Sequence, residues 1–523
     1  MADYIYTLET RLSPDQLRTV TLVQDVARAA GMNVYLTGGA VRDIISGFPI
    51  RDLDFTVQGN PLKLQKELEK SGGASVQFAD DELKVLYITG QGNVRAEIGM
   101  ARTERYEKTG KPPIVAAGTI LEDLRRRDFT VNAMALSLNP GSRGLFMDPF
   151  NGAADIEAKL IRILHNYAFV EDPARLIRAT RFAARFHWPL DERTQARFES
   201  AKENNYIEHI SNGAIGYETE QLAYEDDPVH IVKMLEKEEW LKVLSPHWTT
   251  AKIDSTGLTQ LMKTRQQMGE FGLSPDPAPA VLYFLTARLS DKEISDMQKM
   301  IPRRDLVAAW RDLEDNAKDL AKKLTGKEAA TPSRTWKLLA EARPEMILFL
   351  EVTSKQQTVL QKIRSFLGKW RQVQQKLPLP EMAELFITPQ LPEYPKIAHD
   401  TFMLMLDGKL RSRTEILRFL KPLAPPPPPP PPPPKRGRAK AAAAASTPPA
   451  PAGPQPAARK KGKATATAPA APVPAAAPKK DEKPKPAAKT APAKAALTKP
   501  AKPAQAVPAK KQARPAPKKA KKR

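Results

Sequence analysis

Cysteine is absent from all 523 residues, which excludes disulfides, thiolate zinc sites and cysteine nucleophiles and suits a reducing compartment. No uncharged apolar run reaches the roughly 20 residues of a membrane-spanning helix. The first ten residues hold no basic segment followed by an apolar one, so neither a membrane span nor a secretory signal is expected. The expectation is a cytoplasmic protein with no membrane partner. Histidine is scarce, at six, and none pairs with a serine in a catalytic pattern; His165, His187 and His247 are assigned to helix ends or packing. The last hundred residues, from Ala424, lack Phe, Trp and Tyr and hold only 2 acidic residues.

What those hundred residues do contain is 24 Lys/Arg and 27 prolines. Such a segment cannot bury enough apolar surface to offset its ordering entropy. Residues 424–523 are therefore expected to form a disordered basic Pro/Ala/Lys extension, with the proline run 425–434 as a stiff polyproline rod. The extension carries +22 of the chain's net +23, leaving residues 1–423 at +1. Scattered lysines on a flexible chain suit nonspecific binding to nucleic-acid phosphates and suit a solvated extension equally well.

The remaining residues are too many for one ordinary core. Ser13-Pro14-Asp15-Gln16 is a capping box with proline at the first helical position, followed by Leu17, Val20, Val23, Ala27 and Ala30 at helical spacing up to Gly31. Residues 34–37 and 53–57 read as strands, Asn60-Pro61 opens a helix to about Ser71, and 85–89 with 94–101 read as a hairpin around Gly90-Gln91-Gly92-Asn93. From Leu121 to Leu420 the periodicity is almost wholly helical, broken by prolines. The expected fold class is an α/β head with a mixed sheet and helices, followed by all-α neck, body and tail domains. The expected boundaries are 1–135 for the head, 136–248 for a helical neck and body, 249–423 for a helical body and tail, and 424–523 for the extension. Trp310, Trp336 and Trp370 stand in helical surroundings, where they either pack or contact a partner.

Four segments carry chemistry. Leu36-Thr37-Gly38-Gly39-Ala40-Val41-Arg42-Asp43 sets two glycines between a strand and a helix, where backbone N–H groups can approach an anion, although such a turn more often merely connects elements. Asp52-Leu53-Asp54 puts two carboxylates on one face of a strand. Their repulsion is relieved by divalent cations such as Mg²⁺, or, at a strand edge, by water. Glu97, on the next strand, either joins that pair or faces solvent beside Arg95 or Arg102. Arg125-Arg126-Arg127-Asp128 precedes an apolar helical stretch; it is either a solvated face or a set of guanidinium forks for phosphates with a carboxylate for a sugar hydroxyl.

With Glu171-Asp172-Pro173-Ala174-Arg175-Leu176-Ile177-Arg178-Ala179-Thr180-Arg181-Phe182 added, these segments resemble the class II tRNA nucleotidyltransferase and bacterial poly(A) polymerase family. The resemblance covers about 34–188 and fades towards Trp248. It implies a nucleotidyltransferase-type head. It also implies Asp52, Asp54 and Glu97 as catalytic carboxylates, with Asp52 and Asp54 the ligands of Mg²⁺. Gly38, Gly39 and Arg42 become triphosphate contacts, and Arg126, Arg127 and Asp128 phosphate and ribose contacts. Asp172 and Arg175 become the amino-acid template that reads the base, with Arg178 also nucleotide-binding. Placed at i and i+3 of one helix, Asp172 and Arg175 would share a face. An acceptor beside a donor complements the amino group and ring nitrogen common to cytosine and adenine and leaves uracil and guanine unpaired. On the residues alone, the same two positions are also what a structural ion pair would use.

The implied activity is template-independent addition of C and/or A from CTP and ATP to the 3′ end of tRNA, with two Mg²⁺ ions and release of pyrophosphate. CC-only or A-only addition, poly(A) addition, and a noncatalytic RNA-binding protein of the same fold are the alternatives. Leu83-Lys84-Val85-Leu86-Tyr87-Ile88-Thr89-Gly90 departs from the Gly-Arg-Arg-Phe stretch typical of the poly(A) branch, which favours tRNA. The loop after Glu97 lacks the Asp-Gly-Arg-Arg stretch of many complete CCA enzymes, which leaves partial addition open.

Overall fold

Alternation of apolar and polar side chains builds the sheet that carries the site. The computed structural model describes residues 4–426; apart from their first two or three residues, the expected rod at 425–434 and basic extension at 424–523 lie outside the described residues. The strands are β1 (Asn33–Thr37), β2 (Leu53–Gln58), β3 (Ala74–Asp80), β4 (Val85–Gly90), β5 (Arg95–Met100), β6 (Arg102–Arg105), β7 (Ile114–Ala117), β8 (Ala135–Ser137) and β9 (Phe146–Met147). Seven form one sheet in the order β3-β4-β5-β2-β1-β8-β9, while β6 and β7 form a separate antiparallel hairpin. Within the large sheet only β2 and β5 run parallel.

Val34, Leu36, Leu53, Phe55, Val57, Leu86, Ile88, Ala96 and Ile98 point to one side and share a core with Val20, Val23 and Ala27 of the Pro14–Ala29 helix and Ala40, Val41 and Ile44 of the Gly38–Ser46 helix. The residues between them, Thr37, Asp54, Thr56, Tyr87, Arg95 and Glu97, stand on the opposite, polar side. The capping box forms as expected: Gln16 N–H donates to Ser13 Oγ at 3.2 Å, and Ser13 N–H to Gln16 Oε1 at 2.9 Å.

The almost wholly helical reading from Leu121 onward is corrected at β8 and β9, of which β8 pairs with β1 and β9 with β8. Residues 133–138 are buried at both parities, so their sequence carries neither a helical stripe nor a strand alternation, and pairing with β1 decides. The sheet therefore runs to Met147, and the boundary expected at 135 falls inside β8. From the Gly152–Ala158 helix to the Arg413–Leu420 helix, the described chain is helical apart from isolated bridges at Phe129–Ile163 and Ile161–Leu190. The body tryptophans pack: Trp310, Trp336 and Trp370 are buried, and the Trp336 ring lies 4.8 Å from both Phe366 and Phe402. Among the described residues no helix is long and apolar enough to cross a membrane.

Candidate active site

Strand pairing gathers the carboxylates. The parallel register sets Asp54 opposite Glu97, and Asp52, one residue ahead of β2, lies beside Arg95 with Nη2 to Oδ2 at 3.4 Å. Because β2 lies inside the sheet between β5 and β1, Asp52 and Asp54 are not on a solvated edge. Glu97 does not take the arginine partners open to it in the sequence. Arg102 binds Glu104 and the Leu83 carbonyl, and Arg95 turns to Asp52 and stacks on Tyr224 at 3.3 Å.

The three groups stand together, crowded by protein yet only partly buried, and burial opposes their ionisation. At Asp52 burial is outweighed by Arg95, Arg185, Arg51 and Arg42, which hold the carboxyl below its ordinary range. At Asp54 burial and then the Asp52 charge push the pKa up to about 6, against Arg127 and the Gly39 N–H. At Glu97 burial and then Asp54 push it up to about 8, and Arg303 is the leading opposing charge. Hard oxygens crowded in this way fit a divalent cation. Among the described residues no group of three or more His, Cys, Asp or Glu is arranged to hold an ion unaided. Mg²⁺ held by one or two carboxylates ordinarily completes its shell with water and substrate phosphate, and Asp52 with Asp54 matches that pattern.

An anion cradle adjoins these carboxylates. The Gly38–Ser46 helix starts directly at the end of β1, with Gly38 at φ +61°. A Cβ at Gly38 would lie 2.8 Å from Asp54 Oδ2 and 2.9 Å from Arg127 Nη1, so both conformation and space demand glycine. Gly39 N–H donates to Asp54 Oδ2 at 2.8 Å. Arg127 Nη2 donates to the hydroxyls of Thr37 and Thr56, each at 3.1 Å, and to Asp123 Oδ2 at 2.8 Å. Arg126 is clamped between Asp123 and Glu104. The buried Arg42 donates to Asp43 Oδ1 at 2.8 Å and Asn132 Oδ1 at 2.6 Å, with Nη2 on the Gly39 side. A helix start flanked by guanidinium groups is a ready anion site.

Of the Arg triplet only Arg125 is a solvated face. Asp123, which sequence reasoning did not single out, orders the other two. Its signal was present: the Thr119 and Glu122 capping box fixes the helix start, which sets Asp123 three and four residues ahead of Arg126 and Arg127.

Asp172 and Arg175 do not share a helix, which corrects the expected i,i+3 geometry. The Ala168–Glu171 helix stops at Asp172 (φ −128°, ψ 95°), and the Ala174–Phe186 helix starts after Pro173. A residue before proline is driven out of helical conformation. Asp172 Oδ1 accepts from Ala174 N–H at 3.1 Å. Arg175 Nε stands 3.6 Å from Asp172 Oδ2, too far for a hydrogen bond. The Arg126 and Ala168 carbonyls hold the Arg175 guanidinium at 3.1 and 3.4 Å, and its Nε has no partner. The two side chains are adjacent and form a loose ion pair without a hydrogen bond between them.

Further along the same helix, Arg178 spans Asp128 (3.0 Å) and Glu218 (2.7 Å), and Arg181 spans Glu218 (3.2 Å) and Glu225 (2.8 Å). Arg51 reaches Glu225 from the head at 3.1 Å. Glu218 and Glu225 were not legible in the sequence, because Gly216-Tyr217-Glu218-Thr219-Glu220 has the composition of a solvated helix end. Asp128, which also accepts from Asn132 Nδ2 at 3.0 Å, is thereby tied to the base of this arginine ladder.

The stretch between Glu97 and Arg126 is the β6–β7 hairpin, and its tip docks on the neck. Gly110 (φ +68°) donates its N–H to the Glu171 carbonyl at 3.2 Å, and a Cβ there would lie 1.8 Å from the His209 carbonyl oxygen. Gly110→Ala should therefore release the hairpin tip while leaving the large sheet intact. Hydrogen exchange checks this: faster exchange confined to 103–116 is expected, and an unchanged hairpin would contradict the close contact.

The poly A polymerase head domain family matches residues 34–162. The A-adding tRNA nucleotidyltransferase of Halalkalibacterium halodurans is 29% identical over 415 residues, covering 78% of this chain and 93% of that protein. The multifunctional CCA protein of Haemophilus ducreyi is 36% identical over 222 residues, 41% of this chain and 51% of that protein. A solved apo structure of a CCA-adding enzyme, 27% identical, covers 80% of this chain and 98% of its own length with a TM-score of 0.42.

Proposed function

We propose, from the match of residues 34–162 to the poly A polymerase head domain family and the likeness to an A-adding tRNA nucleotidyltransferase, that the site adds C and/or A from CTP and ATP to the 3′ end of tRNA. The observation that carries this reading is the pairing of Asp54 with Glu97 directly beside the Gly38-Gly39 helix start. In the proposed reaction the RNA 3′-hydroxyl oxygen bonds to the α-phosphorus as its proton passes to water, the bond from that phosphorus to the β-phosphate bridge breaks, and pyrophosphate leaves. Two Mg²⁺ ions, held through Asp52 and Asp54, would supply positive charge to the attacking and leaving oxygens.

The Gly38 and Gly39 backbone, Arg42 and Arg127 hold the triphosphate. Asp128, oriented by Arg178 and Asn132, takes the ribose, with Arg126 behind it. Asp172 accepts from the exocyclic amino group and Arg175 donates to the ring nitrogen beside it. Uracil and guanine would leave the partly buried Asp172 and the buried Arg175 unpaired. The residues that do this work carry almost no net charge with the rest of 1–423, so the +22 extension is proposed to attract the polyanionic substrate.

Addition of A alone is the narrower reading. It is favoured by the A-adding relative that the chain spans over 93% of its length, and by the β6–β7 hairpin, which lacks the Asp-Gly-Arg-Arg stretch. Incubation with CTP alone, ATP alone and both, on tRNAs ending before each of the three terminal positions, tests it. The expected result is addition of one A to tRNA already ending in CC. Addition of C to the shorter substrates would make the chain a CC- or CCA-adding enzyme, and long A tracts would make it a poly(A) polymerase.

A further inference from the structure

Arg303, in the helical body, reaches the polar side of the head sheet. It precedes the Arg304–Arg311 helix and is delivered by a backbone contact. A Cβ at Gly216 would lie 1.9 Å from the Met300 carbonyl oxygen, so the Asn212–Leu222 helix and the chain at 300–301 touch as only glycine allows. The Arg303 guanidinium carbon lies 5.8 Å from the centre of the Tyr87 ring, and Tyr87 is the β4 residue paired with Glu97.

The side chain is only 5% exposed, yet its Nε has no hydrogen-bond partner. The nearest carboxylate oxygen, Glu220 Oε1, is 3.8 Å away, and Glu220 Oε2 is also without a partner. Shielded polar groups left unfilled in this way are costly unless a ligand completes them.

The order of strands says which ligand. The anion cradle sits at the end of β1, Asp54 on β2, Glu97 on β5 and Tyr87 on β4, and these four strands are consecutive in the sheet. In-line displacement needs the attacking and leaving oxygens on opposite sides of the α-phosphorus. With the leaving pyrophosphate in the cradle, the RNA end enters across β5 and β4, the side on which Arg303 stands.

We propose that Arg303, standing beside Glu220, binds the phosphodiester of the last nucleotide of the acceptor RNA and so positions its 3′-hydroxyl at Glu97. This rests on the reading of the carboxylate cluster as a nucleotide-transfer site. The full-length chain and its Arg303→Gln and Arg303→Lys variants test it with a tRNA acceptor and ATP. Arg303→Gln should raise KM for the RNA with KM for ATP unchanged. Arg303→Lys should recover part of the loss, because lysine keeps the charge without the fork. The slope of log RNA affinity against log salt should become shallower by about 0.7 in Arg303→Gln, the contribution of one single-strand phosphate. Equal rises in both KM values, or an unchanged salt slope, would overturn the assignment and leave Arg303 a packing residue. Should the wild-type chain transfer no nucleotide, the wider reading fails; RNA binding by the wild type and Arg303→Gln, compared across salt, still decides the subsite.

Discussion

Replacing Asp54 by asparagine should reduce nucleotide transfer by roughly 10²- to 10³-fold or more while leaving the protein folded and no less stable. Asparagine has nearly the same volume, and its carbonyl oxygen can still accept the Gly39 N–H that Asp54 Oδ2 takes at 2.8 Å. What is lost is one negative charge at a place where Asp52 and Glu97 already repel it. The unliganded fold therefore gains from the change, and the proposed reaction would lose one of the two carboxylates proposed to hold its cations. Product length on a denaturing gel, read beside a thermal unfolding curve, checks both halves. Undiminished transfer would remove Asp54 from the chemistry, and a collapse in unfolding temperature would make it a structural residue.

Glu218→Ala should be the most destabilising single change in the neck, by about 3–5 kcal/mol, the usual cost of removing one partner from a buried charge network. Glu218 is fully buried and shared by Arg178 and Arg181. Its loss leaves the two guanidinium groups, three residues apart on one helix, facing each other with only Asp128 and Glu225 to compensate. Urea denaturation measures the cost. A change below about 1 kcal/mol would mean that the ladder is solvated and contributes little. Because Arg178 also orients Asp128, a Glu218 variant that remains folded should bind nucleotide more weakly.

Local chemistry was legible in the sequence where a residue type is forced by geometry. The Ser13 capping box, the strands carrying Thr37, Asp54 and Glu97, and the demand for glycine at Gly38 all follow from spacing, because each depends on neighbours a few residues away. The approach of Glu97 to Asp54 was an expectation, and the parallel β2–β5 register places them opposite. Three things were hidden. β8 is buried on both sides, so its composition has no period to read. Pro173 breaks the helix between Asp172 and Arg175, and the sequence spacing alone suggested a continuous one. Glu218, Glu225 and Arg303 act through contacts made more than thirty residues away, and such pairings leave no mark in a single sequence.

The measurement that bears most directly on the carboxylate cluster as a nucleotide-transfer site is incorporation of each labelled nucleoside triphosphate into tRNA lacking its 3′-terminal nucleotides, with Mg²⁺ and with a chelator. The account predicts products one to three nucleotides longer from ATP, CTP or both, none from UTP or GTP, and none once the metal is chelated. Binding of the same tRNA without extension by any nucleotide in the presence of Mg²⁺ would contradict it and identify the chain as an RNA-binding protein that retains the fold.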